Sequence, residues 1–148
     1  MAADEPPVVV DTNIIFSALL SADSPFREIM FTSTRRFVIC ETTIIELFRL
    51  KDKLLALRPN RSQEVLLSML HAILRRVELL REDTVDKTTW DTAAELCSTV
   101  DADDTPQVAL TLAADGLLWT GDRRLKRALQ KTGFTQFFNP AERSDQRE

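Results

Sequence analysis

The sequence predicts an α/β fold of three layers, with helices on both faces of a central, mainly parallel sheet. Three observations predict it. Short β-branched runs alternate with stretches of helical periodicity along the 148 residues, the pattern that builds βαβ units. Two of those runs, Val8-Val9-Val10 and Leu117-Leu118-Trp119-Thr120, lack polar alternation, as strands buried on both faces do. Only three glycines are present, which leaves few tight turns and points to a helix-rich chain.

The elements follow in order. Pro7 to Val10 is a strand, because valines pack well on a pleated surface. Asn13 to Leu20 continues as a helix. Ser24-Pro25 reads as an N-cap with proline at the first helical position and opens a helix to about Thr32. Arg36 to Cys40 is a second strand. A helix starts at Thr42 or Thr43 and runs to Leu57, with a stripe of Ile44, Leu47, Phe48, Leu54 and Leu55. Phe16 and Phe48 are expected in the core. Pro59 stops that helix, and Asn60 with Gln63 resembles a capping box that opens a helix to about Leu74. Val77 to Leu80 is a short strand or an extension of that helix. Helices from Lys87 to Ser98 and Thr105 to Ala114 precede the strand Leu117 to Thr120. Arg123 to Lys131 is the last helix, Gly133 ends it, and Phe134 to Phe138 reads as an edge strand. All of this fits one domain over residues 1–148, with frayed ends at 1–6 and 141–148.

Composition narrows the classes. The apolar fraction of 44% and charged fraction of 28% are those of a globular protein. A net charge of −4 argues against binding nucleic acid through bulk charge, though not against a local basic patch. Cys40 and Cys97 read as buried thiols rather than a disulfide framework. The acidic start lacks the basic region of a signal peptide, and Val65 to Leu74 is too short to span a bilayer, so a cytoplasmic location without membrane attachment is expected. No glycine-rich phosphate loop is present.

The acids carry the chemistry. Asp11 and Asp122 each follow a buried strand, where open parallel sheets bind ligands. Glu46 lies on a helix between them, and Asp101, Asp103 and Asp104 cluster ahead of Thr105-Pro106. Each also has a structural role open to it. Asp11 and Asp122 suit N-caps, either Asp103 or Asp104 suits the cap of the Thr105 helix, and Glu46 suits a solvated helix face. Asp104 is favoured over Asp103 as the ligand because Val108 and Leu112 share its helical face and turn it inward. Carboxylates gathered in one pocket repel by roughly 4 kcal/mol per close pair at an effective dielectric of 20, which a hard divalent cation relieves.

The order Val10-Asp11-Thr12-Asn13, Ile44-Ile45-Glu46-Leu47, Asp104-Thr105-Pro106-Gln107-Val108-Ala109-Leu110 and Trp119-Thr120-Gly121-Asp122 resembles the PIN-domain nucleases over about Val8 to Phe138. The resemblance implies an acidic pocket that binds Mg2+ or Mn2+ and hydrolyses RNA. Asp11, Glu46, Asp104 and Asp122 match its acidic positions, and Asn13 and Thr120 match residues that order the site. Asp101 or Asp103 would assist a second metal. Many bacterial and archaeal members are toxins of toxin–antitoxin pairs, which implies an antitoxin partner. The apolar surplus of the helices around Thr43 to Leu57 and Arg61 to Leu74 offers a groove for it and a homodimer contact.

Arg123, Arg124 and Arg127, with Lys126 and Lys131, would hold RNA phosphates beside the metals or form a solvated face. Arg49, Lys51, Lys53, Arg58 and Arg61 form a second basic cluster with the same alternatives. The lone His71 excludes chemistry by a histidine pair. Two other readings are weighed: a non-catalytic RNA- or protein-binding domain, and a haloacid-dehalogenase-like phosphatase built on Asp101-Ala102-Asp103-Asp104-Thr105. The latter needs its first aspartate at a strand end, where the sequence reads as helix.

Overall fold

Three consecutive valines form the centre of the sheet. In the computed structural model, which describes residues 5–21, 23–57 and 63–140, β1 (Val8–Val10) is buried along its whole length. It pairs with β2 (Phe37–Cys40) on one side and β4 (Leu117–Trp119) on the other, and β3 (Val77–Leu80) lies outside β2. Every pairing is parallel. The order β3-β2-β1-β4 means that the chain moves outward through β2 and β3, then returns to the opposite flank of β1. The crevice outside the carboxyl ends of β1 and β4 is therefore the topological switch point, where such sheets bind ligands.

Alternation along the strands divides the core in two. Val8, Val10, Phe37, Ile39 and Trp119 face one helical layer, formed by α1 (Thr12–Leu20), α2 (Pro25–Thr32), α3 (Glu41–Leu57) and α4 (Gln63–Arg76). Val9, Val38, Cys40 and Leu118 face the other, formed by α5 (Lys87–Cys97), α6 (Thr105–Ala113) and α7 (Arg123–Lys131). The three-layer expectation is met. Cys40 and Cys97 are free and buried, and Trp119 is core.

Local signals set several boundaries. Ser24 caps α2 by accepting from the Phe26 N–H at 3.2 Å. Gly116 permits the close approach of β1 and β4, since a Cβ there would lie 2.5 Å from the Pro7 carbonyl oxygen. Gly133, at φ +96°, ends α7 in the left-handed region that glycine enters most easily.

Four expectations change. Phe48 is 67% exposed rather than core. Thr43, Leu47 and Leu54 set the buried face of α3, and one further helical step turns Phe48 outward. The edge strand at Phe134 to Phe138 reduces to one parallel bridge, Leu118 to Phe137, carried by bonds from Leu118 N to Gln136 O (2.8 Å) and Phe138 N to Leu118 O (2.9 Å). Val77 begins β3 directly where α4 ends, so it is strand and not a continuing helix. Glu5 and Pro6 are anchored by Arg35, through an ion pair of 3.6 Å and a 2.8 Å bond to the Pro6 carbonyl. The expectations for Arg58, Pro59, Asn60, Arg61 and the ends at 1–4 and 141–148 lie outside the described residues.

Candidate functional site

The ends of β1 and β4 are bonded side by side, and this positions two of the acids. Asp11 stands at the N-cap position of α1 yet makes no side-chain cap bond. Its Oδ2 instead accepts from the Thr120 hydroxyl at 2.7 Å. The Thr120 oxygen in turn accepts from the Asp122 N–H at 3.1 Å. Asn13 Oδ1 accepts from the Gly121 N–H at 3.4 Å. Thr120 and Asn13 thus bond the end of β1 and the start of α1 to the turn after β4. Asp122 does cap α7, accepting from the Leu125 N–H at 3.1 Å, so its structural role is real and leaves its second oxygen open.

Glu46 reaches the same place from α3, where its carboxylate accepts from the Thr12 hydroxyl. Thr12 escaped the sequence reading as a site residue because its partner lies 34 positions away, beyond any local pattern. Asp104 occupies the N-cap position of α6 and also makes no side-chain cap bond. The preceding turn is capped by Asp101, which accepts from the Asp103 N–H at 2.9 Å. The Asp104 carboxyl, which makes no cap bond, lines the crevice. Asp103 is exposed, and of the two neighbours only Asp104 lines the cleft beside Asp11 and Glu46.

Electrostatics ties the acids into one group. Asp11 is 6% exposed. Burial pushes its carboxyl above the usual range, the bonds from Thr120 and Thr12 pull it down, and the charges of Glu46 and Asp122 push it up again. Asp104 is raised to about 7, first by burial, then by the charges of Asp11, Asp101, Asp122 and Glu46. Like charges disfavour one another's ionised forms. Asp11, Glu46 and Asp104 line one cleft of about 390 Å³. Thr12, Asn13, Phe16, Arg49, Leu50 and Lys53 line the rest of it, and Asp122 stands outside its lining. Arg123, Arg124 and Arg127 are exposed on α7 and do not line this cleft; the cations that do come from the other basic cluster, on α3.

The donor chemistry fits a hard divalent cation. The crevice offers carboxylate oxygens. Cys40, at the end of β2, is pushed up to about 11 by burial and stays a neutral thiol, and His71 is exposed on α4. Among the described residues no three His, Cys, Asp or Glu side chains are already grouped as an ion would hold them. The fit therefore rests on the donor types and on the repulsion a cation would relieve. The segment Asp101 to Thr105 spans a 3-10 turn and the start of α6, after α5. Its first aspartate is at no strand end, which removes the ground for a dehalogenase-like phosphatase.

Comparison with known proteins agrees with this architecture. The fold is similar to that of VapBC2 from Rickettsia felis, solved bound to a DNA fragment from its promoter, at 16% identity and a TM-score of 0.64 over 82% of this chain and 92% of that one. It is also similar to PAE2754 from Pyrobaculum aerophilum, at 17% identity and a TM-score of 0.59 over 83% of this chain and 79% of that one. No curated protein matches the sequence significantly. A family model described as PIN domain matches residues 9–136. That span runs from β1 to the bridge beside β4 and contains every acid of the crevice, so the chain belongs to the PIN domain family.

Proposed function

We propose that this protein is a ribonuclease that uses Mg2+ or Mn2+ to hydrolyse RNA phosphodiester bonds, and that it is the toxin of a toxin–antitoxin pair. One observation above all supports the nuclease reading. Acids delivered by separate elements, Asp11 after β1, Glu46 on α3, Asp104 before α6 and Asp122 after β4, meet at the sheet's carboxyl edge, where burial first and then the charges of the others raise the proton affinity of Asp11 and Asp104.

The proposed ligands are Asp11, Glu46, Asp104 and Asp122, with Asp101 assisting. A bound divalent cation supplies phosphate charge neutralisation and an activated water. The chain's own residues do the rest. Thr120 holds the Asp11 carboxylate and the Asp122 backbone together, Thr12 orients Glu46, and Asn13 restrains the turn that carries Asp122. With its carboxyl near 7, Asp104 exchanges a proton around neutral pH while no cation is bound. Arg123, Arg124 and Arg127 are proposed to meet RNA phosphates farther along the strand.

Two observations support the toxin reading. One of the similar structures is a VapBC complex. The helices α3 and α4 also expose Ile45, Phe48, Leu57, Val65 and Leu67, apolar side chains that an amphipathic antitoxin helix could cover. An arginine from that helix would match the carboxylates of the cleft. A homodimer contact is the other proposed use of this surface. Among the described residues no helix is long and apolar enough to cross a membrane, and action on RNA suits the cytoplasm.

Asp11→Asn tests the nuclease reading. Wild type is expected to cleave single-stranded RNA with Mn2+ and to melt at higher temperature when Mn2+ is added. The variant is expected to lose cleavage and most of that stabilisation. Equal stabilisation of both proteins would remove Asp11 from the ligand set, and an inert but stable wild type would favour a binding domain.

A further inference from the structure

The cleft has two unlike halves, and only the acidic half is used by the reaction above. On the other half, Arg49 and Lys53 project from α3 at three and seven residues beyond Glu46, spacings that share one helical face. They extend that wall about 10 Å along the helix axis from Glu46. Both are exposed, and among the described residues neither forms an ion pair. That is notable beside Asp11, Glu46 and Asp104 in the same cleft. Glu46 is engaged by the Thr12 hydroxyl instead. The Lys53 ammonium is seated over the Phe16 ring, 5.6 Å from its centroid, so an aromatic face rather than a carboxylate fixes its position.

We infer that Arg49 and Lys53 form a phosphate subsite for the nucleotide adjoining the scissile bond of a single-stranded RNA, with Phe16 positioning Lys53. The inference rests on the ribonuclease reading and deepens it. An acidic crevice repels the polyanion it must admit, so a strand needs a cationic anchor next to the reacting phosphate. A guanidinium and an ammonium left unpaired on one wall supply two charge-assisted donors there. The consequence is a length requirement. A dinucleotide has a single phosphodiester and no flanking phosphate to place in this subsite, whereas a longer strand has one.

The test uses wild type, the double variant Arg49→Ala/Lys53→Ala, and Arg75→Ala as a control that removes a positive charge from α4. Alanine on an exposed helix preserves folding, which thermal melts verify. The first arm measures fluorescence anisotropy of a labelled, random-sequence, single-stranded RNA of about 12 nucleotides in EDTA, where the strand stays whole, against salt concentration. The double variant is expected to bind about tenfold more weakly, with the slope of log K against log salt flatter by about 0.7 for the phosphate lost. Arg75→Ala is expected to match wild type. The second arm measures cleavage with Mn2+. Wild type is expected to prefer the long strand over a dinucleotide, and the double variant to lose most of that preference. Unchanged affinity and slope in the double variant, or a wild type that fails to bind the strand even at low salt, overturns the subsite. Binding lost in the double variant together with no cleavage by wild type overturns the nuclease reading and, with it, the place of the subsite beside a scissile bond, leaving Arg49 and Lys53 as an RNA-phosphate contact.

Discussion

Replacing Asp104 with Asn, studied without divalent cations, isolates the electrostatic cost of the acidic crevice. The carboxyl rises from an ordinary value of 3.8 to about 7 in the folded protein. The folded state therefore binds more protons than the unfolded chain between about pH 4 and pH 7, and stability falls as pH rises across that window. Unscreened, a rise of this size corresponds to about 4 kcal/mol. Asp104 is only half-buried and reaches water, so screening brings the cost to about 2 kcal/mol. Urea unfolding in EDTA from pH 4 to pH 8 measures it. Asp104→Asn is expected to be about as stable as wild type near pH 4 and about 2 kcal/mol more stable at pH 8, or about 4–8 °C higher in Tm for a chain of this size. A smaller downward slope remains in the variant, because Asp11 is raised as well. A difference that does not change with pH, or a wild type more stable than the variant at pH 8, would refute the claim that like-charged neighbours and burial hold Asp104 protonated.

Thr120→Val removes the hydrogen bond to buried Asp11 and should cost about 1–3 kcal/mol at pH 7. The loss should grow with pH, since Asp11 is then raised further, while Thr120→Ser keeps most of the stability; urea titration of both variants checks it. Gly116→Ala places a Cβ 2.5 Å from the Pro7 carbonyl oxygen and should cost about 1–3 kcal/mol, and a variant as stable as wild type would mean that the β1–β4 seam yields easily. Replacing Arg123, Arg124 and Arg127 together with Ala should weaken RNA binding and flatten its salt dependence. Unchanged titrations would leave these residues as solvated surface.

The fold class was legible because periodicity is local. Valine runs, the Ser24-Pro25 helix start and the Gly133 stop each lie within a few residues, and each appears where expected. Asp11 and Asp122 were legible for the same reason, since a carboxylate just after a buried strand lands at the sheet's carboxyl edge whatever the rest of the chain does. Strand order was not legible, because parallel strands pair through crossovers whose partners no local pattern names. Without the order β3-β2-β1-β4, nothing in the sequence puts the ends of β1 and β4 side by side. The bonds from Thr120 to Asp11 and from Thr12 to Glu46, across 109 and 34 positions, likewise exist only once α1, α3 and β4 have packed. Tertiary structure also separates Asp103 from Asp104, because only Asp104 lines the cleft while Asp103 stays exposed. It decided which basic cluster lines the cleft, since the face a helix shows its neighbours depends on where the whole helix docks. Phe48 shows the same limit: its hydrophobicity argued for the core, but one 100° step beyond Leu47 put it in water.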